Sequence, residues 1–131
     1  VVALARAGAL VEAGNAAEAA SVLDQLSLNL DVPQVYRDIA AFKSVLAQGD
    51  LLAADERRSR LEALAAPGGS LQFLAAEQLA LLDLSEGKTA EALARLREIA
   101  GSEGVSRDLQ ERVSQVIVAL GGDQDAAEQD G

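Results

Sequence analysis

Cysteine, histidine, methionine and tryptophan are absent from this 131-residue sequence, and only three residues are aromatic. Without cysteine there can be no disulfide and no thiolate chemistry, although a cysteine-free chain suits reducing and oxidising compartments equally. Without histidine there can be no Ser–His or Cys–His nucleophile system and no histidine-ligated zinc site. We therefore expect that the protein is not an enzyme and has no catalytic, cofactor-binding or metal-binding residue.

Proline is also scarce, since only Pro33 and Pro67 interrupt the chain. Half of the residues are apolar, and most of these are alanine and leucine, which form helices readily. The sequence therefore predicts an all-α protein. It contains no run of 18 apolar residues and no signal peptide. Because it begins with Val1 inside a helical pattern, we expect a fragment from which any upstream anchor has been removed.

Basic residues are few, and the formal net charge of −10 comes from 21 acidic and 11 basic residues. Such a chain should be repelled by nucleic acid and by anionic membrane surfaces. Four of the acidic residues lie near the C-terminus: Asp123, Asp125, Glu128 and Asp130. We predict one folded domain over residues 1–120 and an acidic, disordered tail over 121–131.

A small turn motif occurs three times between apolar helical patterns. Each copy has a glycine, then a polar residue, and an alanine five positions after the glycine. The three glycine–alanine pairs are Gly14/Ala19, Gly49/Ala54 and Gly87/Ala92. The copies begin 35 and 38 residues apart, which is a period typical of helical-hairpin arrays.

The periodicity of the apolar residues predicts seven helices. They run over about 1–13, 16–27, 33–48, 50–65, 70–86, 89–100 and 106–120. Asn15, Asp50 and Ser106 are the expected N-terminal capping residues, and Pro33 is expected at a first helical position. The last helix combines one apolar and one polar face, as the end of a repeat array requires.

These features resemble a tetratricopeptide-repeat protein. The glycines match the residue that ends the first helix of each repeat, and the alanines match the small residue that lets the second helix approach closely. The resemblance implies a right-handed superhelix of about three hairpins with a C-terminal capping helix, and a concave groove lined by the inner helices. Two departures are the missing aromatic residue at the start of each repeat and the Arg57-Arg58 pair in the second repeat.

Residues 67–100 resemble, more narrowly, the last repeat of membrane-anchored bacterial proteins that are similar to the ancillary subunit of the Sec translocon. This resemblance implies a periplasmic repeat domain, anchored in the inner membrane by an N-terminal helix, that binds client proteins or chaperones. A cytoplasmic location is the alternative.

The resemblance places the inner helices, and so the candidate groove, on three segments of the sequence, the first, third and fifth predicted helices. The candidate residues are Tyr36, Ile39, Lys43, Leu46, Leu74, Glu77, Leu81 and Leu84, with Leu4 and Val11 on the first helix. Because most of them are apolar, we expect a protein or peptide partner that offers an apolar helix or an extended segment, with Tyr36 as an anchor. The alternative for many of these residues is burial between repeats.

Two charged motifs permit a second interpretation. Arg57-Arg58-Ser59-Arg60 is either a set of helical ion pairs with Glu56 and Glu62 or a phosphate or acidic-partner site. Lys88-Thr89 follows a glycine but lacks the rest of a phosphate loop, so we interpret it as a repeat turn. The carboxylates of Asp55-Glu56 and Asp83/Glu86 are interpreted as solvated helix surface.

A different class of function is a structural module that forms homo-oligomers without a separate ligand. In this hypothesis an apolar edge of the array pairs with itself, and truncation before Val1 would create such an edge artificially at Val1, Val2 and Leu4. A homodimer is therefore the alternative to a hetero-partner.

Overall fold

The structure, a computed structural model, describes residues 2–122, and every regular element in this range is helical. The α-helices are α1 (Val2–Glu12), α2 (Ala16–Ser27), α3 (Gln34–Gln48), α4 (Ala54–Leu64), α5 (Gln72–Ser85), α6 (Thr89–Gly101) and α7 (Arg107–Ala119). A short 3-10 turn, Gly49–Leu51, precedes α4. The all-α prediction is confirmed for this part of the chain. Residues 123–131, which hold most of the predicted acidic tail, lie outside the described residues.

The chain divides into two compact units, Val1–Gln72 and Phe73–Gly131. The sequence predicts a single repeat domain over residues 1–120, although the break Pro67-Gly68-Gly69-Ser70 lies just before the boundary between the units. Since each unit has its own core, the two are described separately below.

In the N-terminal unit, α2 packs against both α1 and α3. The core contains Ala7 of α1, Leu23 and Leu26 of α2 and Ala40 of α3. Leu23 is 1% exposed, and burial of a leucine side chain contributes about 1.5–3 kcal/mol to folding. The alanines at positions 7 and 40 are buried as well, so α1 and α3 can both lie close to α2.

A polar cluster inside the same unit connects α2, α3 and α4. The fully buried Ser44 donates a hydrogen bond of 2.6 Å from its Oγ to Asp24 Oδ1. Arg60 of α4 lies 3.4 Å from the same carboxylate oxygen and forms a second ion pair, of 2.9 Å, with Glu56. The Glu56–Arg60 pair is the helical i,i+4 pair that the sequence predicts.

In the C-terminal unit, α5, α6 and α7 contribute to one apolar cluster. Its buried members are Ala80, Ala92, Leu93, Leu96, Ile99, Leu109, Val113 and Ile117. Apart from the adjacent Ala92 and Leu93, the α6 and α7 members recur at intervals of three or four residues, so each helix presents one apolar stripe to this core. Ser106 caps α7 as predicted, because its Oγ accepts a hydrogen bond from the Leu109 N–H.

The three copies of the turn motif do not form the same structure. Gly14 and Gly87 follow α1 and α5 with φ of +81° and +76°, and Ala19 and Ala92 are fully buried. In the middle copy, which begins at Gly49, the chain makes a 3-10 turn after α3. Helix α4 begins only at Ala54, which is exposed. The prediction of a closely packed alanine is wrong there, because Leu52 is the residue that is buried instead.

Three details at helix starts also differ from the sequence prediction. Asn15 precedes α2 but its side chain makes no capping hydrogen bond, so the predicted side-chain cap does not form. Asp50 lies in the 3-10 turn rather than before α4. Pro33 occupies the N-cap position of α3 and Gln34 is the first helical residue. The single-residue shift at Pro33 is ordinary at helix ends, whereas α4 begins four residues after Asp50.

Within residues 2–122, no helix combines the length and the apolar character that a bilayer-crossing segment needs.

Candidate functional site

A groove in the N-terminal unit includes three of the predicted residues, Val11, Lys43 and Leu46. It encloses about 360 Å³ between α1 and α3, with α2 beneath it. Its lining residues are Ala7, Gly8, Val11, Glu12, Leu23, Lys43, Leu46 and Ala47. Val11 and Leu46 are 47% and 48% exposed, so each leaves about half of an apolar side chain in contact with water.

Small residues on both facing helices line the groove, and we refer to them as its floor. Ala7 and Gly8 lie on α1, and Ala47 lies on α3. A Cβ atom added to Gly8 would meet no other atom within 4 Å. Packing therefore does not require glycine there, although a glycine inside a helix costs about 0.5–1 kcal/mol relative to alanine. Gly8 therefore leaves open space in this part of the floor.

Two residues of opposite charge line the same groove, Glu12 on α1 and Lys43 on α3. Neither makes an ion pair or hydrogen bond with another residue in the described part of the chain. Glu12 is also the last residue of α1, where the helix dipole disfavours a negative charge. Both charges are therefore available to a ligand.

The four predicted groove residues of α3 share one face of that helix. Tyr36, Ile39, Lys43 and Leu46 recur at intervals of three or four residues. The structure places Lys43 and Leu46 in the groove lining. Tyr36, 40% exposed, and the partly buried Ile39 continue the same face toward the N-terminus of α3 without lining the cavity. On α1, Val11 lines the groove, whereas Leu4 packs against the core.

The four predicted groove residues of α5 belong to the C-terminal unit. Leu74 and Leu84 are partly buried and pack against its apolar cluster. Leu81 is exposed. Glu77 is 6% exposed and cannot serve as a groove residue, so that prediction is wrong. The apolar periodicity of α5 reflects core packing for Leu74 and Leu84, which is the alternative that the sequence left open.

Glu77 is instead the partner of Arg112, which projects from α7. Its two carboxylate oxygens accept hydrogen bonds of 2.6 Å and 2.8 Å from Arg112 Nε and Nη2. These hydrogen bonds raise the pKa of Arg112, whereas burial acts in the opposite direction. The bidentate geometry is the strong form of an Arg–carboxylate pair, and it fixes α7 to α5.

The basic cluster of α4 is occupied by contacts within the protein. Arg57 Nη2 lies 3.2 Å from Asp50 Oδ1 and 3.3 Å from the Leu52 carbonyl oxygen. The Arg57 side chain is thus folded back on the turn that precedes α4, and its Nε is buried without a hydrogen-bond partner. Arg60 likewise pairs with Glu56 and Asp24. These contacts favour the interpretation of the cluster as internal ion pairs over its interpretation as an anion site.

The carboxylates of the described residues do not form a metal site. Residues 2–122 contain no group of three or more acidic, histidine or cysteine side chains placed to hold a metal ion. Asp83 is buried and accepts a 2.9 Å hydrogen bond from Arg95 Nε of α6. Glu86 lies 3.4 Å from Lys88 Nζ.

A second cavity of the N-terminal unit encloses about 420 Å³ beside α1 and α2. It is lined by Val2, Ala3, Arg6, Val22, Gln25, Leu26 and Asn29. Among the residues of the first groove, sequence reasoning missed Ala7, Gly8, Glu12, Leu23 and Ala47, of which Leu23 was expected only on an apolar helix face. Small residues carry no periodic signal of their own, and Glu12 resembles any solvated charge until its position opposite Lys43 is known.

The chain matches no model of a protein family, no curated protein sequence and no solved structure.

Proposed function

We propose that the chain is a protein–protein interaction module and that the groove between α1 and α3 binds an apolar segment of a partner. The observation that carries this proposal is the groove itself, with half-exposed apolar side chains from two helices facing a floor of small residues. Water is readily displaced from such a surface, and burial of its apolar area favours association.

The proposal includes a tetratricopeptide-like organisation of about three helical hairpins, ending in the capping helix α7. It is supported by the turn after α1 and by the turn after α5. Each has a glycine of positive φ, and a fully buried alanine follows inside the next helix. The middle copy departs from this pattern. In such an organisation α1 and α3 are both inner helices, and the face between them is where a ligand binds.

The proposed cellular setting is the bacterial envelope, with the repeat domain in the periplasm of a membrane-anchored protein. It rests only on the resemblance of residues 67–100. The net charge of −10 supports a protein partner over nucleic acid.

A peptide selection tests the proposed function and requires no identified partner. Random peptides displayed on phage are selected on the wild-type protein and then measured against Leu46→Glu, which places a charge in the groove. The matched control is Val118→Glu, because Val118 is 59% exposed on α7, in the other unit. We expect Leu46→Glu to abolish binding and Val118→Glu to preserve it. Equal binding to both variants would refute the proposal.

Self-association is a second candidate function, favoured by the distribution of exposed apolar residues. Of the ten large apolar residues that are exposed among residues 2–122, eight belong to the N-terminal unit and only Leu81 and Val118 to the other. The eight are Val2, Val11, Leu28, Leu30, Val35, Tyr36, Leu46 and Leu51. Sedimentation velocity separates the candidates. A dimer that Leu46→Glu converts to monomer supports self-association, and a monomer at all concentrations supports a hetero-partner.

A further inference from the structure

The charged residues that line the groove define the chemistry of its occupant more closely than the apolar residues alone. Nine of the 11 basic residues of the chain make an ion pair or hydrogen bond within residues 2–122. The two without such a partner in this range are Arg6 and Lys43, and each lines one of the two cavities. A lysine with no ion-pair partner among residues 2–122, in a chain with 21 acidic residues, is therefore a notable feature of the groove.

Glu12 complements Lys43 at the same groove, on the facing helix. An anionic amphiphile could use Lys43, but it would be repelled by Glu12 and by the negative end of the α1 dipole. A cationic amphiphile could pair with Glu12, but it would be repelled by Lys43. An occupant with an acidic residue on one side of an apolar face and a basic residue on the other can pair with Lys43 and Glu12 at the same time.

We propose that the groove binds an amphipathic α-helix whose apolar face is flanked by an acidic residue next to Lys43 and a basic residue next to Glu12. This inference rests on the proposed function and adds the chemistry of the partner. Gly8 contributes because its missing side chain lets an apolar residue of the incoming helix reach the floor of the groove. In helix-in-groove binding, the incoming helix contacts the groove through its residues i, i+3, i+4 and i+7. Helices α1 and α3 are long enough to contact such a span.

Three designed peptides test the charge pattern. Each is a helix of about 14 residues, or four turns, with the same leucine face. The first has glutamates along one edge and lysines along the other, the second has lysines on both edges, and the third has glutamates on both. Binding is measured by fluorescence anisotropy at low ionic strength, where exposed ion pairs are least screened.

The wild-type protein is expected to bind the mixed-edge peptide most tightly. Lys43→Glu should shift the preference toward the lysine-edged peptide, and Glu12→Lys toward the glutamate-edged one. The double variant should restore the preference for mixed edges. Each shift should be about twofold to fivefold, as for one exposed ion pair. Arg107→Glu and Glu103→Lys, at exposed positions of the other unit, make the same changes in net charge and should leave the order of preference unchanged.

Gly8→Leu tests the floor of the groove separately. Because the space beside Gly8 is open, we expect the variant to fold normally, as measured by circular dichroism. Its affinity for the mixed-edge peptide should fall about tenfold or more, the loss expected for a contact at the centre of an interface. Gly101→Leu is the control, because Gly101 is also a helical glycine with open space beside it.

The outcomes separate this inference from the function on which it rests. If Leu46→Glu abolishes binding but the charge variants leave the order of peptide preference unchanged, the charge pattern is wrong and the groove function stands. If no peptide binds at up to about 1 mM, the weak limit of specific binding, a helical occupant is ruled out. The phage selection then decides the groove function by itself.

Discussion

Glycine has two different roles inside α1 and just after it, and the same substitution distinguishes them. Gly8 has helical geometry and open space around it, whereas Gly14 has φ of +81°. We expect Gly8→Ala to stabilise the protein by about 0.5–1 kcal/mol, because alanine has the better helix propensity. Gly14→Ala should destabilise it by about 1–2 kcal/mol, because an L-residue in the left-handed region is strained. Urea unfolding measures both, and a loss of stability for Gly8→Ala would show that the glycine is needed for packing.

In the Glu77–Arg112 pair, substitution of Arg112 should lower the free energy of unfolding more than substitution of Glu77. Arg112→Met leaves the buried Glu77 carboxylate without its two donors, and we expect a loss of about 2 kcal/mol. Glu77→Gln should cost less, about 1 kcal/mol, because Arg112 is half exposed and water can solvate it. Both values come from urea unfolding, and a larger loss for Glu77→Gln would contradict this interpretation of the pair.

Among the helices, α2 and α7 offer a direct comparison of capping residues. Ser106 accepts a hydrogen bond from the Leu109 N–H, whereas the Asn15 side chain makes no capping hydrogen bond. Ser106→Ala should therefore destabilise the protein by about 0.5–2 kcal/mol. Asn15→Ala should change the unfolding free energy by less than about 0.5 kcal/mol, as ordinary surface substitutions do. Thermal unfolding checks both, and equal losses would mean that Asn15 caps α2 in solution.

The helices could be predicted from the sequence because apolar spacing, glycine and serine act locally. Gly14, Gly87 and Ser106 have the geometry that their residue types favour. At Gly49–Leu51 the motif alone was misleading, since the chain forms a 3-10 turn there, Leu52 is buried and Arg57 contacts Asp50 and the Leu52 carbonyl oxygen.

The groove could be predicted only in part. Lys43, Leu46 and Val11 were identified because apolar and charged residues at helical spacing predict an exposed face. Glu77 was assigned to the groove because a glutamate on a helix face resembles a solvated residue. Its partner Arg112 is 35 positions away, and no local pattern indicates that the two side chains meet.

For the whole molecule, the excess of negative charge should act on stability. With a formal net charge of −10, self-repulsion opposes the compact state, whereas exposed ion pairs contribute little. We expect the free energy of unfolding to rise as NaCl increases from about 0.01 M to 0.1 M, over which the Debye length falls from 30 Å to about 10 Å. Urea unfolding at the two salt concentrations measures this change. A fall in stability would mean that ion pairs such as Glu77–Arg112 outweigh the repulsion.

Partner binding in the groove between α1 and α3 is the central claim, and an NMR titration tests it most directly. A peptide selected on the wild-type protein is added to ¹⁵N-labelled protein, and the amide shifts are followed along the chain. The largest shifts should fall on α1 and α3, at Gly8, Val11, Lys43 and Ala47, and should vanish in Leu46→Glu. Shifts concentrated on α7 around Val118, with those four amides unmoved, would contradict the claim.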